Sequence, residues 1–285
     1  MEKKIKVLVT GGVGFIGTAL IKKLLSEGHN VHSLDNYEIG VVENEIKGCC
    51  YHIGDIVNID CMDKDFDLIF HLAALSRIQP SFSNPEETFR VNTIGTQRVC
   101  EFARLTGAKV IYSGSSSKWH NPYQSPYAAC KHAGEEICKM YKKTYQMDIE
   151  IVRFYNVYGP GEILEGDWAA VIGRWRKLVK INVPITIVGD GEQRRDFTHI
   201  NDIIDGLYKI GFKNEKHIDA WELGTGENYS INEVYQMFNS KFNVDCTYIP
   251  NQKGNYRKTL RKNNDALERL GWKPKENLVY YIQNL

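Results

Sequence analysis

The sequence predicts an α/β protein with a doubly wound parallel sheet, and three observations lead to this fold class. Strand-like and helix-like segments alternate up to about residue 156, which favours parallel βαβ units. The segment DLIFHL at 67–72 is a mainly apolar strand, typical of a sheet covered on both faces. A glycine-rich turn, GGVGFIG at 11–17, joins the first strand to the first helix. Together these features predict a sheet of the Rossmann type.

The expected elements follow one another at short intervals. They are a strand at 4–10, a helix that stops at Gly28, strands at 29–36, 47–56 and 67–72, a helix at 84–106, a strand at 108–117, a helix at 127–145 and a strand at 148–155. Ser125 and Pro126 are expected to cap the helix at 127–145. After residue 156 the alternation loosens, with helices expected at 168–181 and 201–212 and a strand at 184–189. We therefore expect a first domain at 1–156, to which some later segments return, and a smaller lobe formed mainly by 157–285.

Composition and charge exclude several functional classes. Thirty-six basic and 35 acidic residues give a net charge of +1, so nothing favours binding to nucleic acid or to an anionic membrane. No apolar run approaches the roughly 20 residues of a membrane span, and the run at the start is too short for a signal peptide. We therefore expect a cytoplasmic protein. Seven cysteines without paired spacing and eight scattered histidines predict reduced thiols and no metal site.

The glycine turn predicts a dinucleotide site. Its glycines fit both GxGxxG and GxxGxxG, patterns that allow a tight turn and let a pyrophosphate approach the N-terminus of the helix. The glycines alone would also suit an ordinary βα turn. The second strand, however, ends in Asp35, about the expected 20 residues further on. A carboxylate there can accept both ribose hydroxyls and would repel a 2′-phosphate, so we expect NAD rather than NADP.

One tyrosine stands out as a candidate acid/base. Of the sixteen tyrosines, only Tyr127 has a lysine, Lys131, four residues later, and such positions share one face of a helix. A nearby ammonium lowers the pKa of a tyrosine towards working pH. The same spacing occurs by chance in many surface helices. Here, however, the pair opens a helix directly after a strand that ends in serines (113–117), which places it at the carboxyl edge of the sheet.

In this combination the chain resembles the extended short-chain dehydrogenases/reductases of the NAD-dependent nucleotide-sugar epimerase/dehydratase group. The motifs that carry the resemblance are TGGVGFIG, LDN, GDI, HLAA, VNTIGT, the serines, SPYAACK, RFYNVYGP, GDGEQRRDFTHINDI and LGWKP. The resemblance implies Tyr127 as the acid/base and Lys131 as its electrostatic partner, hydrogen-bonded also to the nicotinamide ribose. It implies Ser115 as the residue that bonds the sugar hydroxyl, with Ser116 as the less favoured choice.

The resemblance also implies residues that bind NAD and a nucleotide-diphosphate sugar. The implied cofactor-binding residues are Gly11, Gly14, Phe15, Ile16, Asp35 and Asn36 (ribose), Asp55 and Ile56 (adenine), Leu72, Ala73 and Ala74 (cleft lining), Asn92 (support), Tyr127 and Lys131. Asn156 and Arg195 match positions that hold the sugar-nucleotide diphosphate. On this interpretation residues 1–156 bind NAD and residues 157–285 mainly bind the nucleotide sugar.

Two departures from the family pattern concern the substrate. Only KWHNPYQ, residues 118–124, separates the serines from SPY, where family members usually have a longer loop. We therefore expect a cut-back sugar pocket in which C5 and C6 substituents meet solvent, Trp119 or His120. Family members often have an RxGD motif late in the chain, and its arginine binds phosphate. This chain has QKGN at 252–255 instead, and the sequence does not tell whether Lys253 or Arg257 replaces the arginine.

The reaction type depends on the residues after Ser115. A 4,6-dehydratase usually has Asp-Glu there and a decarboxylase has Glu, whereas this chain has Ser116 and Ser117. The leading interpretation is therefore a 4-epimerase, which oxidises C4 to a 4-keto sugar and reduces it again from the other face. The alternatives are a dehydrogenase that releases the 4-keto sugar and, less favoured, a 4,6-dehydratase or a non-catalytic NAD-binding protein. The nucleotide is not legible from the sequence.

The two long helices also predict a homodimer. Both carry apolar residues on more than one face, namely Phe89, Val99, Phe102, Ile137, Met140 and Tyr141. One face of each helix must cover the sheet, and the remaining apolar surface needs a partner. The alternative is that this excess packs inside the same chain. Family members commonly pair these helices into a four-helix bundle.

Overall fold

Residues 4–285 are described in a computed structural model. The predicted first domain and the basic start of the chain include residues 1–3. These three residues lie outside the described residues. The strands are β1 (Lys6–Thr10), β2 (Asn30–Asp35), β3 (Cys50–Ile53), β4 (Leu68–His71), β5 (Lys109–Ser115), β6 (Ile149–Phe154), β7 (Val157–Tyr158), β8 (Ile185–Val188), β9 (Arg194–Arg195), β10 (Thr198–His199), β11 (Trp221–Leu223), β12 (Tyr229–Ser230) and β13 (Cys246–Ile249). The α-helices are α1 (Phe15–Ser26), α2 (Ile78–Ser83), α3 (Pro85–Phe89), α4 (Thr96–Thr106), α5 (Pro126–Thr144), α6 (Val171–Lys180), α7 (Ile200–Phe212), α8 (Ile231–Phe242), α9 (Asp265–Leu270) and α10 (Leu278–Gln283).

Within the described residues a seven-stranded sheet has the order β11-β6-β5-β4-β1-β2-β3, and each neighbouring pair is parallel. The order reverses between β1 and β4, which opens a crevice at the carboxyl ends of the strands. The predicted doubly wound parallel sheet is confirmed. No helix in the described part of the chain is both long enough and apolar enough to cross a membrane.

Helices cover both faces of the sheet. On one face, Leu20 and Leu24 of α1 and Leu207 of α7 pack in a single core cluster with the sheet. On the other face, Val99 and Phe102 of α4 are fully buried in a second cluster. Because each fully buried aliphatic or aromatic side chain contributes about 1.5–3 kcal/mol, this two-sided burial accounts for the apolar strands that the sequence shows.

The start of α5 matches the prediction from Ser125 and Pro126. The Ser125 hydroxyl accepts a hydrogen bond from the N–H of Ala128 at 3.1 Å, and Pro126 occupies the first helical position. A cap of this kind contributes about 1 kcal/mol. It also places Tyr127 in the first turn of the helix, directly after the carboxyl edge of the sheet.

The single helix predicted at 84–106 is instead interrupted. Between α3 and α4 the chain makes a π-helical turn at Arg90–Gly95, and a further short helix, α2, precedes α3. Inside the π-helical turn, the carboxamide of buried Asn92 accepts a hydrogen bond from the N–H of Leu75 at 2.8 Å and donates one to its carbonyl at 2.9 Å. Apolar spacing does not register such a local change of helical pitch, which explains why the sequence predicted one continuous helix.

The later part of the chain forms a third core cluster. In it, Trp175 of α6 meets Phe238 of α8 edge to face, with 5.5 Å between the ring centroids. The parallel pair β8–β13 and helix α10 complete this lobe. Strand β11 and helix α7, by contrast, belong to the large sheet and its covering layer. The domain division at residue 156 remains a prediction.

A buried arginine connects the late strand β11 to the earlier elements. The guanidinium of Arg153, on β6, bonds to Glu135 of α5 at 2.7 Å and to Asp219 at 2.8 Å. Glu222 of β11 lies 3.7 Å away, and the ring of Trp119 covers the guanidinium at 4.9 Å. A buried charge is tolerated only when it is paired, so these carboxylates fix α5, β6 and β11 relative to one another.

Candidate active site

A cavity of about 640 Å³ lies at the carboxyl ends of the sheet strands and continues towards the later lobe. All but one of the predicted binding residues line it. Those that do are Gly11, Gly14, Phe15, Ile16, Asp35, Asn36, Asp55, Ile56, Leu72, Ala73, Ala74, Ser115, Tyr127, Lys131, Asn156 and Arg195. Asn92 does not line the cavity; its side chain bonds to the backbone of Leu75, which does.

Tyr127, Ser115 and Lys131 meet at one end of this cavity. The Tyr127 hydroxyl donates to the Ser115 hydroxyl at 3.3 Å, and the Ser115 oxygen also accepts the N–H of Ser117 at 3.1 Å. The Lys131 ammonium donates to the carbonyl of Ser113 at 2.8 Å. The serine within reach of the phenol is thus Ser115.

Burial dominates the electrostatics of this group. It raises the pKa of Tyr127, and the Ser115 hydrogen bond and the guanidinium of Arg77 offset this only in part. Burial also lowers the pKa of Lys131 to about 8, although the Glu135 carboxylate opposes the change. Within the protein itself, the free-energy cost of burying a phenolate therefore exceeds the stabilisation that the sequence analysis expected from a nearby ammonium.

The glycine turn is shaped by close backbone contacts. Gly11 has a φ of +75°, and a Cβ there would lie 2.8 Å from the Ala73 nitrogen; a Cβ on Gly17 would lie 2.1 Å from the Gly11 oxygen. The Asp35 carboxylate accepts the N–H groups of Val13 at 3.1 Å and of Tyr37 at 2.9 Å, while burial raises its pKa. A bare backbone at a helix N-terminus, with a carboxylate at the end of the next strand, fits a dinucleotide.

Asp55 is held by its neighbours at the same side of the cavity. Its carboxylate caps the following turn through the N–H of Val57 at 2.9 Å and pairs with Arg90 at 2.5 Å. Burial works against ionisation of Asp55, but the Arg90 guanidinium and the Val57 N–H outweigh it and lower the pKa. The side chain is therefore oriented by an ion pair before any ligand binds.

Asn156 and Arg195 also line the cavity. The Asn156 amide donates to the Asp196 carbonyl at 2.9 Å and to the Thr259 hydroxyl at 3.1 Å. Burial lowers the pKa of Arg195 to about 10, and over residues 4–285 no carboxylate forms a salt bridge with it. A guanidinium that faces a cavity without a counter-ion suits an anionic group.

Sequence reasoning missed several ionisable residues of the cavity, among them Arg77 and Glu162. Arg77 donates to the Trp168 carbonyl at 2.9 Å and to the Ser76 carbonyl at 3.0 Å. Burial lowers its pKa. Burial raises the pKa of Glu162 to about 7 despite the Arg176 guanidinium at 3.0 Å. The only signal for Arg77 was its place just after the strand that ends in HLAA, and no motif marked Glu162.

The short segment 118–124 does not contribute the expected wall. The indole N–H of Trp119 donates to Glu222 at 2.8 Å, which directs the ring towards Arg153. His120 stacks on Tyr256, with ring centroids 3.9 Å apart and planes 8° apart. Tyr256 lines the cavity, whereas neither Trp119 nor His120 does.

Neither candidate for the missing late arginine faces the cavity. The Lys253 ammonium lies over the Phe82 ring at 5.0 Å, and exposed Arg257 pairs with Asp190 at 2.8 Å. Gln252, which stands in the arginine's place, does line the cavity. The cationic side chains that line it are Arg77, Lys131, Arg174 and Arg195.

The comparisons with known proteins agree with this geometry. The model of the NAD dependent epimerase/dehydratase family matches residues 7–224. The chain belongs to this family. It is 31% identical to a UDP-glucose 4-epimerase of Mycolicibacterium smegmatis, over 96% of this chain and 95% of that protein.

Two solved structures of epimerases are similar over nearly the whole chain. The UDP-glucose 4-epimerase of Thermotoga maritima, with UDP-glucose, has a TM-score of 0.91 at 26% identity and covers 98% of this chain and 96% of its own. The UDP-glucuronic acid 4-epimerase of Bacillus cereus, with UDP-glucuronic acid and NAD, has a TM-score of 0.87 at 26% identity and covers 98% and 97%.

Family membership confirms the resemblance seen in the sequence, and the cofactor of this epimerase/dehydratase is NAD. The close-packed glycine turn and the Asp35 carboxylate fit that cofactor. The roles of the individual site residues remain predictions.

Proposed function

We propose that this epimerase/dehydratase is a nucleotide-sugar 4-epimerase that acts through a 4-keto sugar. One observation carries the proposal: the Tyr127 hydroxyl lies 3.3 Å from the Ser115 hydroxyl at the cavity, while the two following positions are Ser116 and Ser117. This arrangement supplies an acid/base for a sugar hydroxyl but, at those positions, no carboxylate for further chemistry.

Tyr127 and its neighbours would move one proton in each direction. As a phenolate, Tyr127 accepts the proton of the C4 hydroxyl as the C4–H bond breaks, and it returns this proton when the carbonyl is reduced. Ser115 holds the C4 oxygen by a hydrogen bond. Lys131, fixed by the Ser113 carbonyl at 2.8 Å, favours the charged phenolate. Bound NAD would supply the acceptor and then the donor of the hydride.

The serines after Ser115 favour epimerisation over elimination or decarboxylation. Removal of the C5 proton and the C6 hydroxyl requires an acid/base pair, and serine hydroxyls cannot fill that role at neutral pH. The Ser117 side chain is moreover buried, and its N–H is engaged with Ser115. The 4-keto sugar can then only be reduced again or released, and release would make the protein a dehydrogenase.

The proposed substrate is a UDP-sugar. The M. smegmatis and T. maritima proteins are named UDP-glucose 4-epimerases, and the B. cereus structure contains UDP-glucuronic acid. In this chain, Arg195 and the Asn156 side chain are proposed to bind the diphosphate, since a cavity guanidinium without a carboxylate partner favours an anion.

A homodimer is also proposed, formed through the helices around α4 and α5. Of the six apolar residues that the sequence places on more than one face of these helices, Val99, Phe102 and Tyr141 are core residues. Phe89 and Met140 of the same set are exposed, as are Ile94, Leu105 and Tyr145, and these five side chains are each between 44% and 58% exposed.

The proposed reaction is tested by incubating the enzyme with UDP-glucose, UDP-galactose, UDP-glucuronic acid and matching GDP- and CDP-sugars. NADH absorbance and product stereochemistry by NMR are followed together. An epimerase gives the same equilibrium mixture of C4 epimers whichever epimer is the starting sugar, and no NADH accumulates. Stoichiometric NADH with a free 4-keto sugar would establish the dehydrogenase instead, and loss of water from the sugar would establish a dehydratase.

A further inference from the structure

Two neighbouring strands at the edge of the sheet bring three metal-binding side chains together. In the parallel pair β2–β3, His32 is opposite Cys50, and Leu34 is opposite His52. Residues opposite each other or two apart along a strand point to the same face of a sheet. His32, Cys50 and His52 therefore lie on one face, although eighteen to twenty positions separate the histidine of β2 from the other two.

Two of the three distances between their donor atoms are close to those of ligands around one ion. His32 Nδ1 lies 3.0 Å from His52 Nε2, and Cys50 Sγ lies 3.6 Å from the same nitrogen. All three donor atoms lie within 4.8 Å of one another. A tetrahedral zinc ion with metal–nitrogen bonds of about 2.0–2.1 Å and a metal–sulfur bond of about 2.3 Å separates two nitrogens by roughly 3.3 Å, and nitrogen from sulfur by roughly 3.6 Å.

The side chains around the cluster hold the imidazoles in place. The two rings are stacked, 5.3 Å apart with planes 14° apart, and the edge of Phe66 meets His32 at 5.3 Å. Side chains that are already fixed by their neighbours lose less conformational entropy when an ion binds.

We propose that His32, Cys50 and His52 bind one divalent transition-metal ion of the zinc class. Two imidazoles and a thiolate match the ligand preferences of zinc. Exposed Cys50 leaves the fourth position open to water. On binding, the Cys50 thiol loses its proton to solvent as the sulfur–metal bond forms. The proposal is independent of the reaction proposed above, and it departs from the expectation of no metal, which rested on the spacing of histidines and cysteines along the chain.

An ion at this site would join β2 to β3 near the adenosine end of the cofactor cavity. Asp35 ends β2, and Asp55 follows β3 by two residues. Both line the cavity. A ligand that binds only the folded chain raises its stability, so the ion should raise the melting temperature of the protein.

The test uses the full chain, freed of metal by a chelator, with zinc and cobalt ions as probes. Calorimetry with Zn²⁺ measures stoichiometry and affinity, and Co²⁺ reports a thiolate ligand by its charge-transfer absorption. The variants are Cys50→Ser and His52→Gln, and the matched control is Cys61→Ser, which removes another exposed cysteine outside the cluster. Far-ultraviolet circular dichroism and NAD binding establish that each variant is folded.

We expect one equivalent of Zn²⁺, a cobalt–thiolate band and a higher melting temperature in the unmodified chain and in Cys61→Ser. In Cys50→Ser the band should vanish. In both site variants the affinity should fall by at least about 100-fold, since losing a residue that only orients a ligand already costs 10–100-fold. The proposal is overturned if micromolar Zn²⁺ does not bind, or if Cys50→Ser and His52→Gln bind as tightly as Cys61→Ser.

Discussion

In the proposed reaction Tyr127 combines two conditions that oppose each other, because its phenol must ionise although its partly buried position raises the pKa. Replacing it with Phe removes only the hydroxyl that bonds Ser115 and leaves the ring and the cap of α5 in place. We expect kcat to fall about 10²–10⁴-fold, the scale of a general acid–base group, with NAD affinity nearly unchanged. Steady-state kinetics and NAD titration measure both.

The control for that substitution is Tyr123→Phe. Tyr123 is 91% exposed and precedes α5 by three residues, outside the cavity, so its loss should leave kcat unchanged. Near-normal activity in Tyr127→Phe would show that another group moves the proton.

Glu162 gives a prediction about stability and pH. Its pKa is raised to about 7 by burial, against the opposing effect of Arg176, so the protonated form stabilises the fold. This stabilisation is complete below the ordinary pKa of 4.5 and is lost as the pH rises through about 7. Relative to Glu162→Gln, the unmodified protein should lose on the order of 1–3 kcal/mol of unfolding free energy between about pH 5 and about pH 8.

Urea denaturation at several pH values measures this difference. The exposed Glu165→Gln serves as the control and should follow the pH dependence of the unmodified protein. Identical curves for Glu162→Gln and the unmodified protein would contradict the assigned pKa.

A residue of the site could be predicted from the sequence when a local feature of the chain, such as one helical turn or the end of a strand, places it there. Tyr127 and Lys131 were predictable because one helical turn connects them. Ser115 was predictable because the serines directly follow a strand. Arg77 and Glu162 were not, because their importance arises from burial in a cavity built by distant segments. His32 and its partners were hidden for the same reason, since only the register of two parallel strands brings them together.

At the scale of secondary-structure elements, the ends of helices were predicted correctly where capping or terminating residues mark them in the sequence. Helix α5 begins at Pro126, one residue from the expected start, because a serine cap and a proline mark it. Helix α4 ends before Gly107, whose φ of +78° suits glycine. The π-helical turn at Arg90–Gly95 has no such marker and was not predicted.

The segment 118–124 predicts weak discrimination at C6 of the sugar. It is short, and Trp119 is directed away from the cavity by its bond to Glu222. Tyr256, supported by His120, provides the nearby wall. We expect kcat/KM for UDP-sugars that differ only at C6 to vary by less than about tenfold, whereas exchanging the nucleotide should matter more.

Two variants separate the contributions of this region. Tyr256→Ala should change the ratios of kcat/KM among these sugars, and Tyr123→Ala, in the exposed part of the segment, should not. Strong selectivity at C6 that disappears in Trp119→Ala would mean that the segment closes the pocket after all.

For the whole molecule, the exposed apolar residues of the long helices predict a dimer. Phe89 and Met140 are each 44% exposed, and burying such side chains against a second copy is favourable. Phe89→Lys combined with Met140→Lys should convert a dimer into a monomer at micromolar concentration. Light scattering or sedimentation measures the mass. Ile218→Lys, at a residue 96% exposed outside these helices, is the control and should remain dimeric; a monomeric unmodified protein would contradict the prediction.

The buried ion pairs of Arg153 have a consequence for how the chain is made. Its partner Asp219 follows 66 positions later in the chain, and β11, which completes the sheet beside β6, ends at Leu223. At ribosomal rates of about 5–20 residues per second, the interval between residues 153 and 223 lasts roughly 4–14 s. During that time β6 is an open strand edge, which is prone to aggregate, and the Arg153 guanidinium lacks the carboxylates of Asp219 and Glu222, which leaves its charge poorly paired. We therefore expect a nascent chain that ends before Leu223 to aggregate more readily than one in which β11 is complete.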